Sequence, residues 1–311
     1  MKVLFVSSGN AIDGISPIVR NQGQSLIDQG IKVDFFTIKG KGVWAYIRHI
    51  YILRKYLNSN YFDIVHSHYS YSSFVATFAG AKPLIVSLMG SDIRANRVSR
   101  LMIRFLHNFS WDQTIVKSTE MFHYLNFKKA KIIPNGVNIC RLKPINKEDC
   151  QKSLGWDSKK KNILFASDPN RIEKNFHLAK ISIDSLIYKY DVSLHFLKNI
   201  SHKEIPIFMN AADVIILSSL YEGSPNVIKE AMACNCPIVT TRVGDVNWVL
   251  GDTIGCFSTS YDPVDVAEKI KLALEFREKI GYTKGRERII ELGLDSVTIA
   301  ERLIEIYKKV F

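Results

Sequence analysis

Apolar residues recur along this chain in two alternating rhythms. Short runs such as Val3-Leu4-Phe5-Val6 and Val214-Ile215-Ile216-Leu217 end at turn residues and read as strands buried on both faces. Longer stretches between them carry apolar positions three and four apart, the spacing of helices with one buried stripe. Strand, helix, strand in regular succession predicts parallel sheets covered by crossover helices, an α/β fold. In the first half the pattern predicts strands over 2–7, 31–38, 63–67, 84–87, 114–116 and 131–133. The first helix should be capped by Ser16, start at Pro17 and stop at Gly30, which makes Ser8 to Gly14 a strand-to-helix turn. Pro134-Asn135-Gly136 then breaks the pattern, and irregular sequence runs to Pro144. The alternation restarts with strands over 161–167, 193–196, 214–218 and 237–240 and helices over 175–189, 203–211, 226–233 and 264–277. Ile299, Leu303, Ile306 and Val310 predict a last helix over 296–311. The expected organisation is two doubly wound domains, 1–138 and 139–311, with the terminal helix free to pack back on the first. Ligands are expected where the C-terminal edges of the two sheets face across a cleft.

Composition narrows the class. The chain has 311 residues, 47% hydrophobic and 23% charged, which suits a globular protein and excludes disordered or collagen-like chains. No apolar run approaches the roughly 18 residues of a membrane span, and the opening run ends at Ser7-Ser8, too short for a leader. A cytoplasmic protein, peripheral at most on the inner face of the plasma membrane, is expected. Cys140, Cys150, Cys234, Cys236 and Cys256 are odd in number, without metal-type spacing, and read as reduced thiols. There is no Asp-x-Asp, His-Glu-x-x-His or Cys-x-x-Cys, so no metal site is expected. The net charge of +12 is uneven: residues 1–138 hold 17 Lys/Arg against 7 Asp/Glu, and 139–311 hold 25 against 23. Any anionic partner surface therefore belongs to the first half.

The densest chemistry is Tyr221-Glu222-Gly223-Ser224-Pro225-Asn226-Val227-Ile228-Lys229-Glu230, directly after an apolar strand. Ser224 can cap and Pro225 can start a helix, whose free Asn226 and Val227 amides would then point from a positive helix end at an anion. Gly223 lets a phosphate approach the backbone. Taken alone, the segment also fits a capped core helix with two solvated glutamates. Arg171 and Lys174, after the first strand of the second half, change the balance, since both could reach the same anion from across the sheet.

Together these residues resemble the GT-B glycosyltransferases, and among them the retaining enzymes of family 4. The resemblance covers nearly the whole chain and rests first on Glu-x7-Glu, here Glu222 and Glu230. Ile133-Pro134-Asn135-Gly136-Val137, Arg171-x-x-Lys174-Asn175, Gly90-Ser91-Asp92 and Asp63 to His68 support it. The wording of 222–246 is most similar to bacterial surface-polysaccharide enzymes, including teichuronic-acid types. The resemblance implies transfer of a sugar from a UDP- or GDP-linked donor, with no cofactor and no metal. Arg171 and Lys174 would hold the diphosphate, Glu230 the ribose, Glu222 the transferring sugar, and Gly14, beside Asp13, would approach the donor phosphates. Gly223, Ser224, Pro225, Asn226 and Val227 complete the donor side. The implied acceptor is a glycan or a polyprenyl-diphosphate-linked molecule, and nucleic acid is not an expected partner.

Two departures stand out. Many members have a histidine before the glycine at Gly90, where this chain has Met89, leaving His68, Ser91 and Asp92 as candidates for sugar or acceptor contacts. Between the strand at 193–196 and Ala211 only about a dozen residues remain, too few for the usual further strand and Gly-rich loop. Separately, Arg94, Arg97, Arg100 and Arg104 fall on one side of a helix at about 100° per residue. The stretch from Trp44 to Lys55 likewise mixes aromatic and basic residues, a composition suited to an anionic bilayer or a lipid diphosphate. Two other readings share the fold: a non-catalytic nucleotide-binding subunit, and a sugar-nucleotide epimerase or phosphorylase.

Overall fold

The computed structural model describes residues 1–11, 14–40, 42–90, 92 and 96–311. It divides into two compact units, Met1–Gly136 with Ser296–Phe311, and Val137–Asp295. The first unit runs β1 (Lys2–Ser8), α1 (Pro17–Asp28), β2 (Lys32–Ile38), α2 (Val43–Ser59), β3 (Ile64–His68), α3 (Ser70–Ala79), β4 (Leu84–Ser87), α4 (Arg97–Phe109), β5 (Gln113–Val116), α5 (Thr119–Leu125) and β6 (Lys131–Ile132). Its six strands are parallel in the order β2-β1-β3-β4-β5-β6, with Val3 opposite both Val33 and Ile64. Val3, Leu4, Phe5 and Val6 are fully buried because helices cover both faces of the central strand.

The second unit runs α6 (Lys147–Leu154), β7 (Lys161–Phe165), a 3-10 turn (Ile172–Lys174), α7 (Phe176–Asp184), β8 (Val192–Phe196), α8 (Ile205–Ala211), β9 (Val214–Leu217), α9 (Asn226–Ala233), β10 (Ile238–Thr241), α10 (Val246–Leu250), β11 (Cys256–Thr259), α11 (Pro263–Lys279) and α12 (Gly285–Glu291). Its parallel order is β11-β10-β9-β7-β8. Each unit is thus doubly wound, and the winding reverses between β1 and β3 in the first and between β7 and β9 in the second.

Caps set the helix starts. The Ser16 hydroxyl accepts from the Val19 amide at 3.4 Å, with Pro17 at the first helical position, as the sequence predicts. Asn96 caps α4 and Asn146 caps α6 in the same way. Elsewhere the pattern misplaces or misses elements. The strand expected to reach 167 stops at Phe165, where the Ser167 amide turns back onto the Phe165 carbonyl at 2.8 Å. The helix expected to reach 189 ends at Asp184. β11 was not predicted, since Cys256-Phe257-Ser258-Thr259 is a half-buried edge strand with little apolar signal. α6, α10 and α12, of 8, 5 and 7 residues, are too short to show a period.

The final helix, α13 (Ser296–Val310), belongs to the first unit and packs on α1. Its Tyr307 is fully buried and its hydroxyl lies 2.6 Å from His66 Nδ1, while His66 Nε2 lies 2.9 Å from Ser87 Oγ. Lys117 Nζ donates to the same Ser87 hydroxyl at 3.4 Å. His68 stacks on His66 at 4.5 Å and meets Phe5 at 4.6 Å with the rings tilted by 56°, and neither of its ring nitrogens has a hydrogen-bond partner. Burial, reinforced by the Lys117 ammonium, lowers His66 to about 3, and burial pulls His68 well below its ordinary value, with His66 and Lys117 adding to it.

Such a histidine contributes full stability above its unfolded value of about 6.5. As pH falls below that, the unfolded chain takes up a proton the folded chain refuses, and stability drops by up to roughly 1.4 kcal/mol per pH unit per ring. His68→Phe removes one ring without breaking a hydrogen bond. Denaturant unfolding between pH 6 and 4.5 should therefore give a wild-type slope steeper than the variant's by about 1 kcal/mol per pH unit. Equal slopes would mean that His68 takes up its proton inside the folded protein.

Candidate functional site

In the second unit the loops after β7 and β9 leave adjacent strands at the point where the winding reverses, where doubly wound sheets bind ligands. Hydrogen bonds clamp the two loops together. The Ser218 hydroxyl reaches the carbonyls of Lys174 and Asn175 at 3.0 and 2.9 Å, and the Leu220 amide donates to Glu173 at 2.9 Å. Asn175 holds a left-handed φ of 50°, a conformation its short polar side chain tolerates, and so ends the 3-10 turn.

This clamp brings Lys174 from one loop against Glu222 from the other in an ion pair through Oε1, with side chains only 10% and 16% exposed. Ser219 Oγ donates to the same oxygen at 2.8 Å. The expected convergence of both cations is only half present. Arg171 donates through Nε and Nη2 to Glu173 Oε1 at 2.8 and 2.6 Å and is 55% exposed. A guanidinium two residues from a carboxylate on a short turn closes that local pair.

α9 occupies the predicted 226–233, but its cap is not the Ser224 that the sequence suggests. Pro225 occupies the cap position, Asn226 is the first helical residue, and no side chain caps the helix. The Ser224 hydroxyl instead accepts a hydrogen bond from Lys229 Nζ at 3.0 Å. Lys229 is almost wholly buried, and burial pulls its ammonium down to about 8 against the opposing pull of the Asp245 and Glu230 carboxylates. The helix end at Asn226 and Val227 is thus left without a side-chain cap, a place suited to an anionic ligand. Gly223 supports a close approach behind it, since a Cβ on Gly244, whose φ is +56°, would lie 2.5 Å from the Gly223 carbonyl oxygen.

Glu230 lies one turn into α9, and its Oε1 is 3.0 Å from His202 Nε2. Arg141 Nη2 contacts His202 Nδ1. Because a guanidinium can only donate, Nδ1 accepts and Nε2 carries the hydrogen given to Glu230. Sequence reasoning named neither His202 nor Arg141. His202 falls in the shortened stretch after β8, and its distance of 28 residues from Glu230 carries no local signal.

The first-unit candidates take other positions. Gly14 has a φ of +80° with open space where a Cβ would stand, so its backbone conformation alone favours glycine. Asp92 is buried. Its two carboxylate oxygens accept from the amides of Ser70 and Met89, and burial, opposed by these hydrogen bonds, raises its pKa. Asp92 thereby anchors the start of α3, and His68 is enclosed as described. Both His68 ring nitrogens are buried, and both Asp92 oxygens are taken by backbone amides. Asp13, Ser91 and Arg94 lie outside the described residues.

Two family models match the chain: "Glycosyl transferases group 1" over residues 175–292 and "Glycosyltransferase Family 4" over residues 12–141. Among curated proteins, the chain is 29% identical over 270 residues to an uncharacterized glycosyltransferase of Methanocaldococcus jannaschii, covering 79% of this chain and 75% of that one. It is 24% identical to the UDP-Gal:alpha-D-GlcNAc-diphosphoundecaprenol alpha-1,3-galactosyltransferase of Escherichia coli, covering 68% and 66%. Among solved structures, sucrose-phosphate synthase from Thermosynechococcus elongatus superposes with a TM-score of 0.83 at 17% identity, covering 100% and 99% of the two chains. That likeness concerns the fold.

The loop packing makes a paired prediction. Gly244→Ala combines an unfavourable φ with a backbone clash, whereas Gly14→Ala meets only the unfavourable φ. Denaturant unfolding should show a loss of about 1 kcal/mol for Gly14→Ala and about 3 kcal/mol or more for Gly244→Ala. Equal losses would show that the Gly223 loop yields freely to a methyl group.

Proposed function

Since this chain belongs to the GT-B glycosyltransferases of family 4, we propose that it transfers a sugar, with retention of configuration, from a UDP- or GDP-linked donor to a polyprenyl-diphosphate-linked glycan in the assembly of a bacterial surface polysaccharide. The observation that carries this reading is the Lys174–Glu222 pair at the uncapped end of α9. Departure of a nucleoside diphosphate builds negative charge on its terminal phosphate and positive charge at the anomeric carbon. A bound diphosphate takes over the Lys174 ammonium, and Arg171 turns from Glu173 to the same phosphates. The α9 amides add their partial positive charge. Glu222, released from Lys174, then faces the developing positive charge on the sugar.

Glu230 holds the ribose hydroxyls, with His202 on Oε1 leaving Oε2 for the ligand. In this reading residues 139–311 bind the donor and residues 1–138 the acceptor, with Gly14 approaching the donor phosphates. His68, Ser91 and Asp92 stay candidates for shaping the acceptor side, the first and last by holding the strand ends from within. The galactosyltransferase relative, whose name specifies a UDP-linked donor and an undecaprenol-linked acceptor, supports these substrate classes.

A thermal-shift screen against UDP, GDP and ADP identifies the base, because a ligand selective for the folded state raises apparent stability. With the donor then found by screening the common sugars of that nucleotide, Lys174→Ala and Arg171→Ala should each lower kcat by about 10²-fold or more, as expected if each supplies a few kcal/mol to the leaving group. Turnover within threefold of wild type for both would overturn the phosphate assignment.

Two cations and a helix end supply the neutralisation that a divalent ion provides elsewhere. Turnover should accordingly be unchanged in excess EDTA. Loss of activity on chelation, recovered by added divalent ion, would require a metal-assisted step.

A further inference from the structure

The Glu230 carboxylate is the end of a chain of three side chains drawn from separate segments. Arg141 comes from the stretch before α6, His202 from the turn between β8 and α8, and Glu230 from α9. Each segment is fastened by bonds of its own. Asn138 Oδ1 accepts from the amides of Cys140 and Arg141 at 3.1 and 3.0 Å, which fixes the backbone from which the Arg141 side chain leaves. Further along the same stretch, the Ile145 amide donates to Asn210 Oδ1 of α8 at 2.8 Å. Arg286 Nη1 donates to the Leu142 carbonyl at 2.8 Å and to the carbonyl of Ala233, the last residue of α9, at 3.3 Å. The stretch that carries Arg141 is thereby tied to both helices. At the start of α8, the Ser201 amide donates to Glu204 Oε2 at 3.1 Å and the Glu204 amide to the Ser201 carbonyl at 2.9 Å, closing the turn that carries His202.

Chemistry gives this chain a direction. A guanidinium has donors and no acceptor, so with Arg141 on Nδ1 only Nε2 can carry the ring hydrogen toward Glu230 Oε1, 3.0 Å away. In the other tautomer a lone pair would face the carboxylate. A carboxylate held through one oxygen no longer turns about its last bond, so the hydrogen bond to Oε1 also sets where Oε2 points. The side chains of His202 and Glu230 are only 21% and 12% exposed, and little water competes for that bond. In such surroundings a cation at one end of an imidazole polarises it and strengthens the hydrogen bond at the other. Arg141 is half-buried, and its Nε is buried with no hydrogen-bond partner among the described residues. An arginine that served packing alone would turn that group to water, so the unsatisfied Nε marks a side chain held for the bond that its Nη2 makes.

We propose that Arg141 and His202 are positioning residues: acting through Glu230, they fix the oxygen that meets the donor ribose and so set the preference for a ribonucleotide over its 2′-deoxy form. The inference rests on the donor reading and on Glu230 as the ribose contact within it. A vicinal diol brings two hydroxyl donors, and a carboxylate of fixed direction accepts from both at once. A carboxylate free to turn follows the 3′-hydroxyl of a deoxyribose as readily and gains less from the second hydroxyl. Neither Arg141 nor His202 has to touch the nucleotide for this.

Isothermal titration calorimetry compares UDP with 2′-deoxy-UDP and GDP with 2′-deoxy-GDP. Wild type should bind its ribonucleotide at least about tenfold more tightly than the deoxy form, as expected of a hydrogen bond to a charged group. His202→Leu should reduce that ratio to within about threefold, chiefly by weakening the ribonucleotide. Arg141→Met, which removes the donors at two bonds' distance from Glu230, should reduce it in the same direction. His202→Gln, whose amide keeps a donor for Glu230 and an acceptor for Arg141, should retain more of the ratio than His202→Leu. In a Glu230→Gln background, Arg141→Met should change the ratio no further, because residues that act through one another are not additive. A general loosening of the fold would weaken both nucleotides alike, so the ratio separates positioning from stability. A wild-type preference of about tenfold that both His202→Leu and Arg141→Met retain would overturn the proposal and leave the donor reading standing. A wild-type ratio near one, or no binding of either ribonucleotide, would instead remove Glu230 from the ribose or the donor from this site, and the proposal with it.

Discussion

A lysine and a glutamate held together with little water around them are the constraint from which the second unit's site is built. Lys174 and Glu222 lie 48 residues apart and meet only because β7 and β9 are neighbours in a sheet whose winding reverses between them. Where the crossovers leave to opposite faces, the loops at the strand ends separate and leave a space that helices do not fill. Charged residues lining that space lose part of their hydration and must find partners. Lys174 finds Glu222, Glu222 finds Ser219 as well, and Glu230 finds His202. The hydrogen bonds of Ser218 and Leu220 serve the same end, since they fix the two loops to each other.

Lys229 shows the cost of such an arrangement and how it is offset. A buried ammonium is unfavourable, and its lowered pKa is the measure of that. Asp245 on the loop after β10 supplies opposite charge, while the Ser224 hydroxyl accepts a hydrogen bond that would otherwise be missing. The consequence is local order. Ser224 is held back from the helix end, Gly223 is backed by Gly244, and α9 presents its first amides uncapped. A buried polar network of this kind stiffens what surrounds it only if its members are satisfied. That places the rigidity of the site in residues that need not touch a ligand.

These distinctions explain what could be read from sequence. The central strands were legible because burial on both faces demands unbroken apolar runs, as in Val3 to Val6 and Val214 to Leu217. α9 was legible because Pro225, the Glu spacing and the preceding strand agree with one another. β11 was not, because an edge strand needs apolar residues on one face only and Cys256 to Thr259 supply little more than Phe257. The misplaced cap at Ser224 has a different origin: serine before proline is a good local start signal, but a lysine five residues on competes for the hydroxyl. Arg171 was placed by its chemistry and not by its neighbour Glu173, which takes both of its hydrogen bonds. His202 and Arg141 depend on contacts across 28 and 61 residues, for which neither period nor spacing leaves a trace.

The first unit has the same reversal of winding, between β1 and β3, but closes the sheet edge there with buried side chains, the Lys117 ammonium among them. His66 and His68 stand at the end of β3 and stay uncharged through burial, and Asp92 gives both oxygens to backbone amides. Closing this edge takes a residue from the far end of the chain, because the Tyr307 hydroxyl meets His66 across 241 positions. The two units therefore differ in kind. Val137–Asp295 is continuous in sequence and holds its strands, its helices and its charged pairs within itself. The first unit lacks α13 until the second has been traversed, and without Tyr307 the imidazole of His66 would lose a hydrogen bond in a place with no water to replace it. A terminal helix that would look dispensable from its position in the sequence is, by this contact, part of the core on which β3 depends.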